Sequence, residues 1–416
     1  MAGNTSALAP FRVRSYRFQW PADLATSWAF EMETLILGWY VLVETGSVVM
    51  LTVFASLQHL GTLVAPMFGV VGDRIGARNI LCAMRSFYGL LAGIVMVLAY
   101  GGLLSPTYVL ISASLLGMVR PSDIGMRAAL VGETMPAGQL MGAMSVQRTT
   151  MDSARIAGAL TGAGLVAAMG IGPAYTVVTC LYVASVILTL QTAKGTRKAP
   201  RHATPTAPRS PWSDLKEGLD YVRRTPHIFG LMCLALMLNM TAFPLTNSLL
   251  PYVAKVIYQA DQTWLGYMVA SVAGGALAGS ILLSKYGLRV RPGRMMIVFS
   301  ILWYIMLIIF GHNQHPLGGI LILVATGVVH SLGQIPMNAM LLRTTEEQYR
   351  ARVMGIRMLM IYGNMFGLML FGPLVAQIGY PFTATLYCVC GILVTVLIAM
   401  RWREHLWQSD ALANRR

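Results

Sequence analysis

Charge is what this sequence has least of. Only 11% of its 416 residues are Asp, Glu, Lys or Arg, against about 25% in soluble domains. A water-facing surface needs charge, so this composition excludes an ordinary soluble globule and sends much of the surface against lipid. Acidic residues are scarcest, 16 against 31 basic, for a formal net charge of +15. The basic residues stand in short clusters between apolar stretches rather than on one face. That distribution argues against nucleic-acid binding and matches membrane loops. The five cysteines, Cys82, Cys180, Cys233, Cys388 and Cys390, all lie in apolar segments without a CxxC pair, so neither a disulfide framework nor a metal site is expected. No HExxH or GxSxG pattern and no phosphate-binding loop occurs, which leaves no expectation of an enzyme, a cofactor or ATP as energy source.

What the chain does have is apolar length. Hydrophobic residues make up 56% of it, and a spanning helix needs roughly 20 of them in succession. Such stretches fall at 18–43, 47–71, 79–101, 105–131, 140–168 and 172–191, then at 227–253, 263–284, 293–311, 317–342, 352–377 and 380–401. Arg12, Arg14 and Arg17 precede the first without a small-residue cleavage site, so that segment is expected to stay. The expectation is an all-α membrane protein whose twelve transmembrane helices form two pseudo-symmetric six-helix bundles. Its parts are an N-terminal bundle at 1–191, a cytoplasmic linker at 192–226 and a C-terminal bundle at 227–416.

Orientation follows from the lysines and arginines. Clusters lie before span one, after span two (Arg74, Arg78), throughout the central link, and at Lys285/Arg289/Arg291, Arg343/Arg350 and Arg401/Arg403, whereas the opposite side carries Lys255 alone. By the positive-inside rule both termini and the link are expected to be cytoplasmic. Within the link, 191–211 is rich in proline and reads as an extended tether. Trp212, Leu215, Leu219 and Val222 then recur at helical spacing, with Asp214 and Glu217 early and Arg223 and Arg224 late. That is a short amphipathic helix, expected to lie on the membrane surface.

The two halves echo each other: Met126-Arg-Ala-Ala-Leu130 with Met337-Asn-Ala-Met-Leu341, Gly172-Pro-Ala-Tyr with Gly379-Tyr-Pro-Phe, and Gly76 with Gly287. Paired repeats of this kind organise transporters that bind a solute between them.

Gly69-Val-Val-Gly-Asp73-Arg74-Ile-Gly76-Ala-Arg78, between spans two and three, resembles the loop signature G-x-x-x-D-R-x-G-R-R/K of the major facilitator superfamily, with Ala77 where that family usually has a base. The run from Met32 to Ser47 is similar to the opening of its enterobactin-exporter-like branch, which includes siderophore and drug exporters. So are Asp152-Ser-Ala154-Arg155-Ile-Ala-Gly158, the stretch from Glu217 to Pro226, and Arg350-Ala-Arg352-Val353-Met-Gly355. The resemblance covers nearly the whole chain. It implies a secondary active transporter that exports an amphipathic small organic molecule, a siderophore or drug, by proton antiport with alternating access. Its partners would be that substrate, protons and the lipid bilayer, and the chain is expected to act as a monomer. An importer of the same fold and a non-transporting membrane sensor are the alternatives. The loop residues Gly69, Asp73, Arg74, Gly76 and Arg78 would form a cytoplasmic gate that latches neighbouring helix ends.

Ionisable groups inside a membrane are costly and therefore functional by default. On span four Arg120, Asp123 and Arg127 share a helical face, and on span five Arg148, Asp152 and Arg155 do so in mirror order. In a hairpin turning near residue 137, Arg120 would lie level with Arg155 and Asp123 with Asp152. Arg127 and Arg148 would then pair beside the gate. At 1.5 Å per residue Arg120 and Arg155 sit roughly 18–20 Å in, near mid-membrane. Glu31 and Glu33 on span one are about as deep and balance the remaining charge. They stand ~200° apart on the helix, so only one can face a given partner. Glu33 occupies a position where the resembling pattern has glutamine, which makes it, more than Glu31, the expected proton-coupling group. The plainer alternative is a static ion network between spans one, four and five. No carboxylate lies within the spans of the second half. There Asn239, Phe243, Gln334 and Asn338 are candidates for a substrate cavity, each also readable as an interhelical hydrogen bond.

Overall fold

The computed structural model describes residues 9–63, 75–193, 211–286 and 292–403. Among them every regular element is a helix. In the first half these are α1 (Arg14–Thr45), α2 (Val48–Leu57), α3 (Ala77–Tyr100), α4 (Pro106–Thr134), α5 (Leu140–Met169) and α6 (Ile171–Leu190). The linker contributes α7 (Pro211–Arg224). The second half follows with α8 (Pro226–Thr241), α9 (Gln262–Tyr286), α10 (Pro292–His312), α11 (Pro316–Thr344), α12 (Arg350–Leu359), α13 (Tyr362–Ile378) and α14 (Tyr380–Arg401).

Each expected span meets a helix within a few residues, apart from the second. There α2 and a short 3₁₀ turn at Leu60–Leu63 cover its beginning, and the rest lies outside the described residues. Span seven continues past α8 through π-helical turns at Pro244–Ser248 and Val253–Ile257. Pro244 and Pro251 each remove a backbone donor there, which favours a locally widened helix. Span eleven is divided into α12 and α13.

Nine segments among the described residues are long and apolar enough to cross a membrane. Long helices α1 and α5 fall outside that set for a physical reason. Asp23, Glu31 and Glu33 lie in α1, and Arg148, Asp152 and Arg155 in α5. The fold is all-α, with twelve spans in two repeats.

The repeats are regular in length. Helices α4 and α11 have 29 residues each, begin on a proline, and are followed by 3₁₀ turns at Ala137–Gln139 and Glu347–Tyr349. A proline at the first helical position fits because its missing N–H has no partner there anyway. Gly170 and Gly379, with φ of +85° and +81°, start α6 and α14. The structural counterpart of Gly379 is therefore Gly170, not Gly172 as the sequence echo suggests.

Packing divides the chain into two units. One comprises Met1–Gly46, Leu57–Thr204 and Asp261–Ala270; the other comprises Ser47–Ser56, Pro205–Ala260 and Ser271–Arg416. In the first unit α1 is central and packs on both α5 and α6, while α3 packs on α6. Contact between α1 and α5 is close because Gly158 presents bare backbone. A Cβ at Gly158 would stand 2.7 Å from the Glu31 Cβ, and one at Gly162 would stand 3.2 Å from the Met32 Cα. Small residues four apart let membrane helices approach this way. Hydrogen bonds fix the register: Trp20 Nε1 and Trp28 Nε1 donate to the hydroxyls of Thr150 and Thr161, each over 2.8 Å.

In the second unit the linker helix α7 is docked. Glu217 accepts from Arg352 at 3.0 Å, Tyr221 stacks on Tyr349 with ring centroids 4.1 Å apart, and Gly218 lies against Arg352 and Ile356. The expected surface helix thus has a protein partner, α12. Its apolar positions Trp212 and Leu215 have side chains outside the described set.

Candidate functional site

Two ionic clusters lie inside the first unit, and α1 supplies an acid to each. In the first, the Glu33 carboxylate, 1% exposed, accepts from the Arg120 guanidinium of α4. Tyr182 of α6 donates to the same carboxylate oxygen at 3.0 Å, and Arg120 reaches the Tyr182 hydroxyl at 3.2 Å. Arg120 also lies over Phe30, its guanidinium carbon 3.9 Å from the ring centre. An arginine so held is charge-balanced, hydrogen-bonded and stacked.

The second cluster is built on Asp23. Its carboxylate accepts from Arg85 of α3, whose side chain is 0% exposed and also donates to the Thr189 hydroxyl of α6. Arg127 of α4 forms an ion pair with Asp123 one turn earlier on its own helix and lies 3.8 Å from the Asp23 carboxylate. It further donates to the Ser27 hydroxyl at 2.7 Å and the Asp23 carbonyl at 3.2 Å. Four helices meet in these bonds.

Between the clusters is a cavity of about 100 Å³. Among its lining residues are Glu31, Ser27 and Phe30 from α1, Tyr88 from α3, Arg120, Asp123 and Arg127 from α4, Met151 from α5 and Tyr182 from α6. Glu31, on the opposite side of α1 from Glu33, is therefore the glutamate that borders the open space. The charges acting on it are Arg155 and Asp152 from α5 and Arg120 from α4.

Of the cross-hairpin pairs expected from mirrored spacing, that between Arg127 and Arg148 is replaced by other partners. Arg148, 76% exposed, bridges Asp152 on its own helix at 3.2 Å, while Arg127 is buried with Asp123 and Asp23. The reason is topological: α4 and α5 are consecutive but touch little, because α5 packs along α1. Asp23 and Arg85 lie outside the mirrored set, yet their signal is present in the sequence as charges within spans 18–43 and 79–101. Adding this opposite pair keeps the first half balanced.

Of the gate residues, Gly69, Asp73 and Arg74 lie outside the described set. Gly76 has a φ of +87°, a conformation that suits glycine, and immediately precedes α3. Arg78 donates to the backbone carbonyls of Thr189 and Leu190 at the end of α6. A cation there satisfies orphaned carbonyls and complements the helix dipole.

In the second unit Phe243, Trp303 and His330 form a mutual ring cluster with centroids 4.6–5.4 Å apart. Gln334 stands one helical turn beyond His330, and Asn338, exposed, one turn further. Asn239 is buried and donates to the Ala235 carbonyl of its own helix at 2.8 Å, so that amide nitrogen is engaged locally. Trp303 and His330 extend the aromatic surface around Phe243 that the sequence signals only through single residues.

The sequence profile of transmembrane secretion effectors matches residues 5–416. No curated protein matches significantly. Solved structures with the same fold include the peptide-transporter-family protein PepTSo, with a TM-score of 0.74 at 12% identity over 95% of this chain and 99% of that one. A bacterial homologue of the lysosomal transporter Spinster gives 0.71 at 12% over 93% and 96%. The nucleoside transporter NupG gives 0.67 at 13% over 92% and 98%. At such identities the likeness is one of fold.

Proposed function

Because the chain belongs to the transmembrane secretion effector family and is a membrane transporter of the major facilitator type, we propose that it exports an amphipathic small organic molecule in exchange for protons. The observation that carries this reading is Glu31 in a membrane-embedded cavity, beside arginines that already have other acidic partners. A carboxylate in that position changes protonation as its access to water changes. Glu33 instead holds Arg120 in place. The second unit, whose spans hold no carboxylate, supplies with Phe243, Gln334, Asn338 and the neighbouring Trp303 an apolar and amide surface suited to an organic substrate. Asn239 supports the helix behind it.

The substrate class, a siderophore or a drug-like compound, follows from the resemblance of the Met32–Ser47 stretch to exporters. Direction and coupling are tested together in inverted vesicles offered a panel of catecholate chelators and amphipathic dyes. Wild-type protein should accumulate a substrate when a proton gradient is imposed. Glu31→Gln should retain folded yield and downhill flux but lose gradient-driven accumulation. Undiminished accumulation by Glu31→Gln removes this residue from the mechanism, and uptake only in right-side-out vesicles makes the chain an importer. We place both termini and the linker on the cytoplasmic face of a bacterial inner membrane. External thiol reagents should then label a cysteine placed at Lys255 and miss one placed at Arg78; the opposite result inverts the topology.

A further inference from the structure

The cavity of the first unit contains more unused hydrogen-bonding capacity than Glu31 alone requires. Tyr88, 2% exposed, lines it with a hydroxyl that has no partner among the described residues. Asp123 spends one carboxylate oxygen on Arg127, and its other oxygen, Oδ1, is buried without a partner among the described residues. Buried polar atoms are rarely left so, and each costs roughly 1–3 kcal/mol unless something satisfies it. An ordered water needs ~10–15 Å³ of such space and two to four polar partners. A cavity of about 100 Å³ bordered by Glu31, Ser27, Tyr88, Arg120 and Asp123 offers room for several. An organic cation fits less well, because Arg120 and Arg127 border the same space.

We propose that Asp123 is a second proton-accepting group, joined to Glu31 by water held against Tyr88 in this cavity, and that Arg127 passes to Asp23 when Asp123 is neutral. The inference rests on the proton-coupled reading of Glu31. Its step balances: the Glu31 carboxylic O–H gives its proton to a water, that water gives one to the next, and the last gives one to Asp123 Oδ1. Glu31 ends as a carboxylate and Asp123 as an acid. Tyr88 accepts one hydrogen bond and donates another without net change. Neutral Asp123 loses its charge attraction for Arg127 and keeps only a neutral acceptor, while the Asp23 carboxylate is 3.8 Å away on α1. The proton's arrival is thereby converted into a tighter α1–α4 contact beside Arg85.

The charges facing these acids are on every packed helix. Glu31 meets Arg155, Asp152 and Arg120. Asp123 meets Arg127 on its own helix, Asp23 through Arg127, and Tyr88 from α3, which in turn faces Arg120, Arg127 and Arg85.

Infrared difference spectra of the full-length protein in lipid, recorded between acidic and alkaline buffer, test this without a substrate. Wild type should show protonated-carboxyl signals, one removed by Glu31→Gln and a separate one removed by Asp123→Asn. An Asp123→Asn spectrum that superimposes on the wild type overturns the proposal. Where Asp123→Asn does not fold, Tyr88→Phe decides: it should displace both carboxyl signals, and an unmoved pair overturns it equally. Gradient-driven transport by Glu31→Gln tests the coupling reading separately, so the two can fail independently. For the Arg127 handover, Asp23→Asn should lower the melting temperature more in the Asp123→Asn background than in wild type; an equal or smaller loss sinks that step.

Discussion

Arg85→Ala is expected to remove nearly all folded protein from the membrane, judged by monodisperse yield of a fluorescent fusion and by its melting temperature. The Arg85 guanidinium is fully enclosed between Asp23 of α1 and Thr189 of α6. Taking it away leaves Asp23 in a low-dielectric interior with only the more distant Arg127, which already serves Asp123. Breaking one side of a buried pair costs about 3–5 kcal/mol, a large share of the 5–15 kcal/mol that holds a typical protein folded. The sharper test is compensation. Arg85→Met with Asp23→Asn removes one charge of each sign and leaves Arg127 and Asp123 balanced, so much of the yield should return. A double variant as poor as the single would mean that packing around Arg85, not its charge, is what matters.

Glu33→Gln is expected to be the next most damaging change, and its pattern separates two roles for the acids of α1. With Glu33 neutral, Arg120 keeps the Tyr182 hydroxyl and the Phe30 face but loses its bonded countercharge. The loss should again approach about 3–5 kcal/mol, and every activity should fall together because fewer molecules are folded. Adding Arg120→Met should restore yield. If Glu33→Gln instead folds normally and loses only gradient-driven transport, coupling belongs to Glu33, as its glutamine-equivalent position suggests, and the assignment to Glu31 fails.

Much of this architecture can be read from the chain because lipid imposes a simple rule. Backbone groups must be satisfied within each helix, so apolar length alone locates spans. That is why α3, α4, α6, α10 and α14 fall within a few residues of their expected limits. Charge placement is also legible, since every buried acid of the site is an ionisable residue in an apolar run. Partnership is not. The mirror between Arg120/Asp123/Arg127 and Arg148/Asp152/Arg155 is real as a spacing, but pairing depends on which helices touch, and α5 leaves its sequence neighbour α4 to lie on α1. The backbone contact at Gly158 that allows this is long-range, and no local pattern announces it. In the same way, helical spacing identifies α7, but its seat on Arg352 and Tyr349 depends on a segment more than a hundred residues away.

The partners of α1 also set a timetable for synthesis. This helix leaves the ribosome before α3, α4 and α6, carrying Asp23, Glu31 and Glu33, and each acid costs the bilayer roughly 2.5–3.5 kcal/mol at the centre of a lone helix. Arg85 comes 62 residues after Asp23, Arg120 87 after Glu33, and Tyr182 149 after it. At ~5–20 residues per second, α1 waits some 7–30 s for its last partner among these. Over that interval it is a poor occupant of free lipid and a good client for an insertion factor with a wet interior. The spans of the second repeat hold no acid and so have no such partner to wait for.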